Sequence, residues 1–510
     1  MDQESPRGER SERSALAQKR INSFYWVGAL LLTLGVRLYL FRNYYTINND
    51  GVLYIEAARH FWEGDWAAGL ASFYPPLFPL MIAAVYPLLG DWELAGQFWP
   101  LLLSLVMTLP LFGLLSSIYG QRVARVALLF YGVSPYVARL SLEVRTEIPY
   151  TFFLVLSLYL LQRGLGDRKP LLLFLMGIVS ALAYLVRPEG AGLLIVGVSF
   201  LLYRRWIAER SERIALKVSV LILGFVIFSA PYIFYLRWDT GDWAISRKTG
   251  LVFSMALARQ GWDWDESAAG DSSQVRIADF VAAHPLTYLR KVVADAFRSL
   301  GFYFEALHYS YLPFLFAGWF LFFHGSFWKK GDFLFLVVVV FYLGTFALIY
   351  VTRRYGVPLV PLSLGWVASG YIFLVDRLGN FAQSRRRSYW VAALLALFVA
   401  GTLPKTLQAI GLDKFYLRQA GAYLKGKAGA IIGTNNARVA FYAEGENRVR
   451  LVNAEDLPVL LEKGADYLAL DEAGLRETGW SLPEYGWLAE KEFSYGRKER
   501  LVIFRKVGSG

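Results

Sequence analysis

The feature that most constrains this chain is a series of long apolar segments, which recur from residue 23 to residue 405. Several reach about 18 residues with almost no charge, the length that an α-helix needs to cross a bilayer. Hydrophobic residues make up 56% of the 510 positions and charged residues only 18%, which is too apolar for a soluble protein of this length. A transmembrane β-barrel would instead show alternating segments of about ten residues. The sequence therefore predicts a polytopic α-helical membrane protein.

About 11 of these segments are predicted to cross the membrane, and further helices are predicted to lie at its surface. The predicted crossings cover residues 23–41, 95–118, 124–139, 148–163, 170–186, 191–203, 217–236, 309–325, 332–351, 357–376 and 388–405. Residues 50–68 and 285–300 are expected to form interfacial helices, the first because apolar side chains at helical spacing alternate with charged ones. Residues 75–89 are apolar but short and flanked by proline, so we expect an interfacial or re-entrant helix there.

The basic residues predict the orientation of the chain. Residues 1–22 contain five lysines and arginines, and by the positive-inside rule this tail is cytoplasmic. The short basic loops then fall on the same side, and two larger loops, 42–94 and 237–308, lie outside the cytoplasm. The net charge of +12 lies mainly between the crossings, which favours membrane lipids over nucleic acid as partners. We expect a multi-pass protein of a bacterial-type cytoplasmic (inner) membrane.

The composition changes after residue 411, where the predicted membrane domain, residues 23–411, ends. The predicted strands that follow are 429–433, 448–452, 466–470 and 500–505, and the predicted helices are 436–444 and 454–463. Such alternation is typical of a small α/β domain, and these segments are too short and polar to cross a bilayer. An odd number of crossings places this soluble domain, residues 412–510, on the periplasmic or extracytoplasmic side.

Several kinds of chemistry are disfavoured by the residues that the chain lacks. It contains no cysteine, which rules out disulfides, thiolate nucleophiles and cysteine-based metal sites. Its four histidines are scattered without the spacing of metal ligands: His60, His284, His308 and His324. There is no phosphate-binding GxxxxGK[ST] loop, no GxGxxG fingerprint and no GxSxG elbow. Neither a cofactor nor a metal is therefore implied.

Charged residues gather instead at the predicted outer ends of the crossings. The set comprises Asp50, Glu143, Arg145, Glu147, Arg187, Glu189, Arg353 and Arg354. Charges near a bilayer are costly and usually face a cavity or a partner, although each of these residues could also be a topological anchor in a local ion pair. A carboxylate can act as general base towards a hydroxyl, and arginines can bind a phosphate and stabilise charge on a leaving group. This combination fits group transfer from a lipid phosphate.

Short motifs with proline or aromatic residues accompany these charges in chain order. They are Asn49-Asp50 followed by Tyr54, then Tyr74-Pro75-Pro76-Leu77, Glu147-Ile148-Pro149, Arg187-Pro188-Glu189-Gly190, and Arg354-Tyr355 with Pro358 and Pro361. Together with the hydropathy pattern over residues 20–405, they resemble the GT-C glycosyltransferases of the protein O-mannosyltransferase and aminoarabinose-transferase type (family 39-like). That resemblance implies the GT-C fold and a polyprenyl-phosphate-linked sugar as donor.

The resemblance also implies roles for individual residues. Asp50 would be the base that deprotonates the acceptor, and Glu147 a second acid that shapes the site. Arg187, with Arg354 and Arg353, would contact the donor phosphate. The substrate pocket would include Asn49, Tyr54, Tyr74, Pro75, Pro76, Glu143, Arg145, Glu189 and Tyr355. The reaction would invert the anomeric carbon, because a single displacement by an activated hydroxyl does so.

The sequence departs in two places from the pattern usual in the family it resembles. The first loop has Asn-Asp-Gly where an Asp-Glu pair is usual, and Tyr74 stands where aminoarabinose transferases often have a basic residue before Pro-Pro. The acceptor is therefore left open among a glycolipid, another glycan such as lipopolysaccharide, and a protein. Two alternatives to a glycosyltransferase stay open: a transporter or flippase of a lipid-linked saccharide, and a non-catalytic scaffold in envelope assembly.

Overall fold

The computed structural model describes residues 25–165, 169–207, 213–241, 243–259, 277–381, 384–445, 447–451, 465–471, 482–496 and 499–507. The predicted tail 1–22 and the predicted helix 454–463 lie outside these residues. Up to residue 406 the described chain is helical with short connections. The helices are α1 (Tyr25–Arg42), α2 (Asn49–Trp62), α3 (Trp66–Ala71), α4 (Leu77–Leu89), α5 (Trp92–Val106), α6 (Thr108–Tyr119), α7 (Gln121–Gly132), α8 (Pro135–Leu140), α9 (Glu147–Gly164), α10 (Pro170–Val186), α11 (Ala191–Ile207), α12 (Ile214–Thr240), α13 (Lys248–Ala258), α14 (Ile277–Ala283), α15 (Pro285–Leu307), α16 (Leu312–Phe323), α17 (Phe333–Ile349), α18 (Val360–Phe381) and α19 (Ser384–Thr406).

Several of these helices are long and apolar enough to cross a membrane. Among the described residues, four stretches meet that description by length and composition: Tyr25–Arg42, Trp92–Tyr119, Ile214–Thr240 and Arg353–Arg377. A fifth forms if α15 and α16 are taken together, although the chain bends by 84° between them. Shorter apolar helices of 10–17 residues are Leu77–Leu89, Pro170–Val186, Phe333–Ile349 and Ala392–Thr406. The chain is a multi-pass membrane protein.

One predicted crossing, residues 124–139, is broken into α7 and α8. Helix α7 ends at Gly132 and α8 begins at Pro135, because proline has no N–H to continue the helical hydrogen bonds. The carbonyls exposed at the break receive side-chain donors. The hydroxyl of Thr406 donates to the carbonyl of Val133 at 2.7 Å, and the fully buried Arg37 donates from Nη1 to the carbonyl of Gly132. These bonds satisfy the backbone where the helix stops.

The membrane helices pack closely where small residues face each other. Helices α10 and α12 meet at Gly177 and Gly224. A Cβ at Gly177 would lie 2.2 Å from the carbonyl oxygen of Leu221, and one at Gly224 would lie 2.2 Å from that of Phe174. Only glycine permits this backbone approach, which is how helices associate in an apolar solvent.

The contacts divide the chain into two units. The larger unit contains residues up to Tyr39 together with Ala57–Leu407. The smaller unit contains the C-terminal part from Gln408 onward and also Leu40–Glu56, which from residue 42 is predicted to belong to the first extracytoplasmic loop. The reason is a set of hydrogen bonds: the amide of Tyr45 donates to the carbonyl of Ile410, and the amide of Ile410 donates to the carbonyl of Asn43, both at 2.9 Å.

The C-terminal part folds around a five-stranded mixed sheet. Its elements are α20 (Phe415–Lys425), β1 (Ile431–Thr434), α21 (Ala437–Ala443), β2 (Arg448–Leu451), β3 (Tyr467–Asp471), β4 (Trp487–Tyr495) and β5 (Glu499–Lys506), in the sheet order β2-β1-β3-β5-β4. Strand β1 pairs in parallel with β2 and β3, whereas β5 runs antiparallel to β3 and β4. Apolar residues of α20 and α21 cover the central strands. The predicted small α/β domain is confirmed.

Candidate active site

The centre of the candidate site is a buried acid–arginine pair at two helix ends. Glu147 is the first residue of α9, and Arg187 follows the last residue of α10. Nη1 of Arg187 lies 3.0 Å from Oε1 of Glu147, whose residue is only 1% exposed. Pro188 directly follows Arg187, and Pro149 lies two residues after Glu147, in the first turn of α9. The two helices thus bring together acidic and basic residues that are 40 positions apart.

Arg187 joins a second carboxylate and an aromatic ring to this pair. Its Nη2 lies 3.0 Å from Oε1 of Glu189, and its guanidinium lies over the ring of Tyr355 at 4.9 Å from the centroid. The backbone carbonyl of Glu189 accepts a hydrogen bond from the hydroxyl of Tyr342 at 3.1 Å. Burial by itself would lower the pKa of Arg187, but Glu189 and Glu147, with Tyr355, raise that pKa well above its ordinary value. The guanidinium therefore carries a fixed positive charge between two carboxylates.

Arg354 adds a second positive charge to the same carboxylate. It lies on the 3-10 helix Arg353–Leu359, and its Nε is 3.4 Å from Oε1 of Glu147. Its side chain is 26% exposed, whereas that of Arg187 is 11% exposed. The neighbouring Arg353 points elsewhere: its side chain is 73% exposed and its Nε lies 3.4 Å from Glu305. Arg354 is thus the more accessible of the two arginines that contact Glu147.

Glu143 and Arg145 belong to a separate ion pair nearby in sequence. Oε2 of Glu143 lies 2.7 Å from Nε of Arg145, and Oε1 lies 3.0 Å from Nε of Arg139. The carboxylate is 9% exposed, so these arginines hold it within the fold.

Tyr74, Pro75 and Pro76 are all buried and lead into α4, which begins at Leu77. Pro76 occupies the position before the first helical residue, where a missing N–H costs nothing. The predicted short helix 75–89 thus has a counterpart at Leu77–Leu89.

Asp50, Asn49 and Tyr54 lie on α2, in the stretch that belongs to the smaller unit. The side chain of Asn48 caps this helix, since its Oδ1 accepts a hydrogen bond from the amide of Gly51 at 2.9 Å. Asp50 is in the first turn and partly exposed, and Tyr54 is buried one turn later. A carboxylate in the first turn is favoured by the helix dipole.

A further set of charged residues lies at a cavity that sequence reasoning missed. The cavity has a volume of about 290 Å³ and is lined in part by Arg259, Asp295, Arg298 and Tyr350. Two arginines against one aspartate leave its lining positive. Arg259 lies over the ring of Tyr350 at 4.6 Å, and that ring contacts Tyr355 at 6.2 Å between centroids. No motif surrounds Arg259, so the sequence offers no signal to find it.

Among the described residues, no group of three or more histidine, aspartate and glutamate side chains is placed to hold a metal ion. Independence from metal stays a prediction of the sequence.

The family described as dolichyl-phosphate-mannose-protein mannosyltransferase matches residues 74–234, a stretch that includes Tyr74, Glu147 and Arg187. Comparison with curated protein sequences gave no match.

Solved structures match nearly the whole chain. ArnT from Cupriavidus metallidurans bound to undecaprenyl phosphate is similar with a TM-score of 0.60 and 13% identity, covering 96% of this chain and 98% of that one. The oligosaccharyltransferase AglB from Archaeoglobus fulgidus, in complex with an inhibitory peptide and a dolichol-phosphate, is similar with a TM-score of 0.57 and 12% identity, covering 89% and 70%. The resemblance to the GT-C glycosyltransferases is confirmed, and the chain has their fold.

Proposed function

We propose that this protein is an inverting glycosyltransferase that moves a sugar from a polyprenyl phosphate to an acceptor hydroxyl on the outer face of the membrane. The observation that supports this most is the buried cluster of Glu147, Arg187, Glu189 and Arg354 in a chain with the GT-C fold. Such a cluster is costly near a bilayer and marks functional sites. Two structures of similar fold contain undecaprenyl phosphate or dolichol-phosphate, the class of lipid that the proposed donor carries.

The proposed reaction is one displacement. The carboxylate of Asp50 takes the proton of the acceptor hydroxyl, and the oxygen attacks the anomeric carbon of the sugar. The bond from that carbon to the phosphate oxygen breaks, and its electron pair leaves with the polyprenyl phosphate. Because attack and departure occur on opposite faces, the anomeric configuration inverts. The acceptor is a glycolipid, lipopolysaccharide or a protein, and the sugar a hexose or pentose.

The charges of the larger unit suggest which arginines receive the leaving phosphate. Arg187 already directs both terminal nitrogens to carboxylates, so it is better suited to hold Glu147 and Glu189 in place than to bind a phosphate alone. Arg354 is more exposed, and Arg259 lines the positive cavity beside Tyr350. We therefore assign the phosphate contact first to Arg354 and Arg259, with Arg353 and Arg187 supporting them. Arginine suits this role because its planar fork matches phosphate oxygens.

The proposal includes the topology of about 11 crossings, with residues 1–22 cytoplasmic and residues 412–510 outside the cytoplasm. The absence of cysteine makes this directly testable, since every introduced cysteine is then unique. We expect a cysteine at position 382 to be labelled only from the cytoplasmic side, and one at position 497 only from the outside. The reverse pattern would refute the orientation.

The reaction is tested with purified protein, radiolabelled polyprenyl-phosphate sugars and membrane glycolipid or protein acceptors. Wild type is compared with Asp50→Asn and with Glu56→Gln, which alters an exposed acid on the same helix. We expect wild type and Glu56→Gln to transfer label, and Asp50→Asn to lose transfer by at least about 100-fold while retaining donor binding.

Two other outcomes of this experiment would contradict the proposal. Equal transfer by wild type and Asp50→Asn would remove Asp50 as the base and leave Glu147 as the next acid to test. No transfer from any donor to any acceptor by folded wild type would count against a glycosyltransferase and in favour of a transporter or a scaffold.

A further inference from the structure

The segment that leads into Asp50 is held by the C-terminal domain along its backbone. Two further hydrogen bonds add to those with Ile410. Nη1 of Arg418 donates to the carbonyl of Tyr45 at 3.1 Å, and the amide of Ile47 donates to the hydroxyl of Tyr442 at 2.9 Å. Arg418 is on α20 and Tyr442 is on α21. Two helices of this domain therefore fix the chain just before the helix that carries Asp50.

The side chains reinforce this attachment. The ring of Phe415 meets that of Tyr45 edge-on at 5.3 Å, and the guanidinium of Arg418 lies 5.0 Å from the centroid of the Tyr442 ring. The backbone comes close as well: a Cβ on Gly411, which has a φ of 70°, would lie 2.7 Å from the carbonyl oxygen of Thr46. A substitution at Gly411 would therefore both strain and displace this contact.

The buried attachment passes directly into the cap of α2. Thr46, Ile47 and Asn48 are 3%, 1% and 8% exposed, and Asn48 both precedes the helix and caps it. Asp50 follows Ile47 by three residues. A shift in the backbone at Ile47 must therefore move the cap or the first turn that holds Asp50.

We propose that Tyr442 and Arg418 of the C-terminal domain are positioning residues for Asp50. The domain acts as a clamp that fixes the direction of α2 and hence of the Asp50 carboxylate. The catalytic part of this inference rests on the proposed function, in which Asp50 is the base; the clamp itself is a property of the fold. A carboxylate that must meet a hydroxyl within hydrogen-bond reach is sensitive to a displacement of about 1 Å.

The test uses full-length Tyr442→Phe and Arg418→Ala, with Arg418→Lys as the conservative variant. Tyr423→Phe is the matched control, because Tyr423 is on α20 and its hydroxyl donates to Glu490, not to residues 43–47. Hydrogen exchange of residues 43–52 is measured by mass spectrometry, independently of activity. Transfer kinetics are measured on the same preparations.

We expect Tyr442→Phe and Arg418→Ala to raise exchange in residues 43–52 at least about fivefold and to lower kcat about 10-fold, with KM for the donor changed less than about twofold. Arg418→Lys should recover part of kcat, and Tyr423→Phe should behave as wild type. In an Asp50→Asn background, Tyr442→Phe should lower the residual rate no further, because both changes act through one carboxylate.

The failures are separable. Unchanged exchange in residues 43–52 would overturn the clamp whatever the activity. Raised exchange with unchanged kcat, or additive losses with Asp50→Asn, would overturn the positioning role. If the two variants show raised exchange but the wild-type protein transfers no sugar, the proposed function is refuted, and with it the catalytic part of this inference.

Discussion

Glu147 and Arg187 tie the beginning of α9 to the end of α10, with 3.0 Å between Oε1 of the acid and Nη1 of the arginine. This contact is almost completely buried, and each partner is shared: Glu147 with Arg354, and Arg187 with Glu189. Two carboxylates and two guanidinium groups therefore balance within one cluster. Removing Arg187, which contacts both carboxylates, leaves negative charge on the buried Glu147 less well compensated.

Arg187→Ala should be strongly destabilising for this reason. It removes the cation that Glu147 and Glu189 share, and we expect a loss of about 3–5 kcal/mol in the free energy of unfolding. Arg187→Lys should be intermediate, because an ammonium keeps the charge but cannot bridge both acids through a planar fork. Unfolding in detergent measures both.

Arg122→Ala is the control for that series. Arg122 pairs with Asp376 through two hydrogen bonds at 3.0 and 3.2 Å, but its side chain is 67% exposed. We expect a change of less than about 1 kcal/mol. Equal losses for Arg122→Ala and Arg187→Ala would contradict the distinction between a buried cluster and a surface pair.

Arg354→Ala should weaken donor use more than Arg353→Ala. Arg354 contacts the buried acid of the cluster, whereas Arg353 is exposed and pairs with Glu305. We expect Arg354→Ala to lower kcat/KM for the donor about 100-fold and Arg353→Ala less than about 10-fold. Steady-state transfer kinetics measure both, and a larger effect of Arg353→Ala would reverse the assignment.

Arg259→Ala tests the cavity that no sequence motif revealed. If the positive cavity beside Tyr350 receives the donor phosphate, this change should raise KM for the donor about 10-fold. Arg290→Ala, which alters an exposed arginine on α15, should leave KM unchanged. The same KM for wild type and Arg259→Ala would remove the cavity from the donor site.

Gly356→Ala should disturb the loop that carries Arg354. A Cβ at Gly356 would lie 2.9 Å from the Cα of Tyr303 on α15, a backbone atom that cannot easily move. We expect a loss of about 1–3 kcal/mol in unfolding free energy, together with lower transfer activity. Gly344→Ala is matched to it, because nothing lies within 4 Å of the added methyl group. If Gly356→Ala changes neither the unfolding free energy nor the transfer activity, the segment that carries Arg354 adapts to the added methyl group.

Chelation tests the prediction that no metal is required. EDTA should leave the transfer rate of the purified protein within about twofold of its value without chelator. A loss of activity that divalent cations restore would refute this prediction and start a search for oxygen ligands.

The sequence predicted those parts of the fold that depend on hydropathy and proline. Glu147 and Arg187 could be predicted because a proline follows each within two residues at a helix end, where a charge near the bilayer is conspicuous. Strand β4 was missed, since it is an edge strand whose central residues, Glu490, Lys491 and Glu492, show no apolar alternation. Arg259 was missed because its importance comes only from tertiary contacts with Tyr350 and the cavity.

The attachment of Leu40–Glu56 to the C-terminal domain has a consequence for engineering. The unit that would have to be exchanged between this protein and a relative is discontinuous in sequence: residues 40–56 belong with residues 408 onward. A chimera joined only at residue 408 would pair a foreign domain with a native first loop and lose the bonds at Ile410, Arg418 and Tyr442. A chimera with two further junctions, flanking residues 40–56, would transplant the clamp intact.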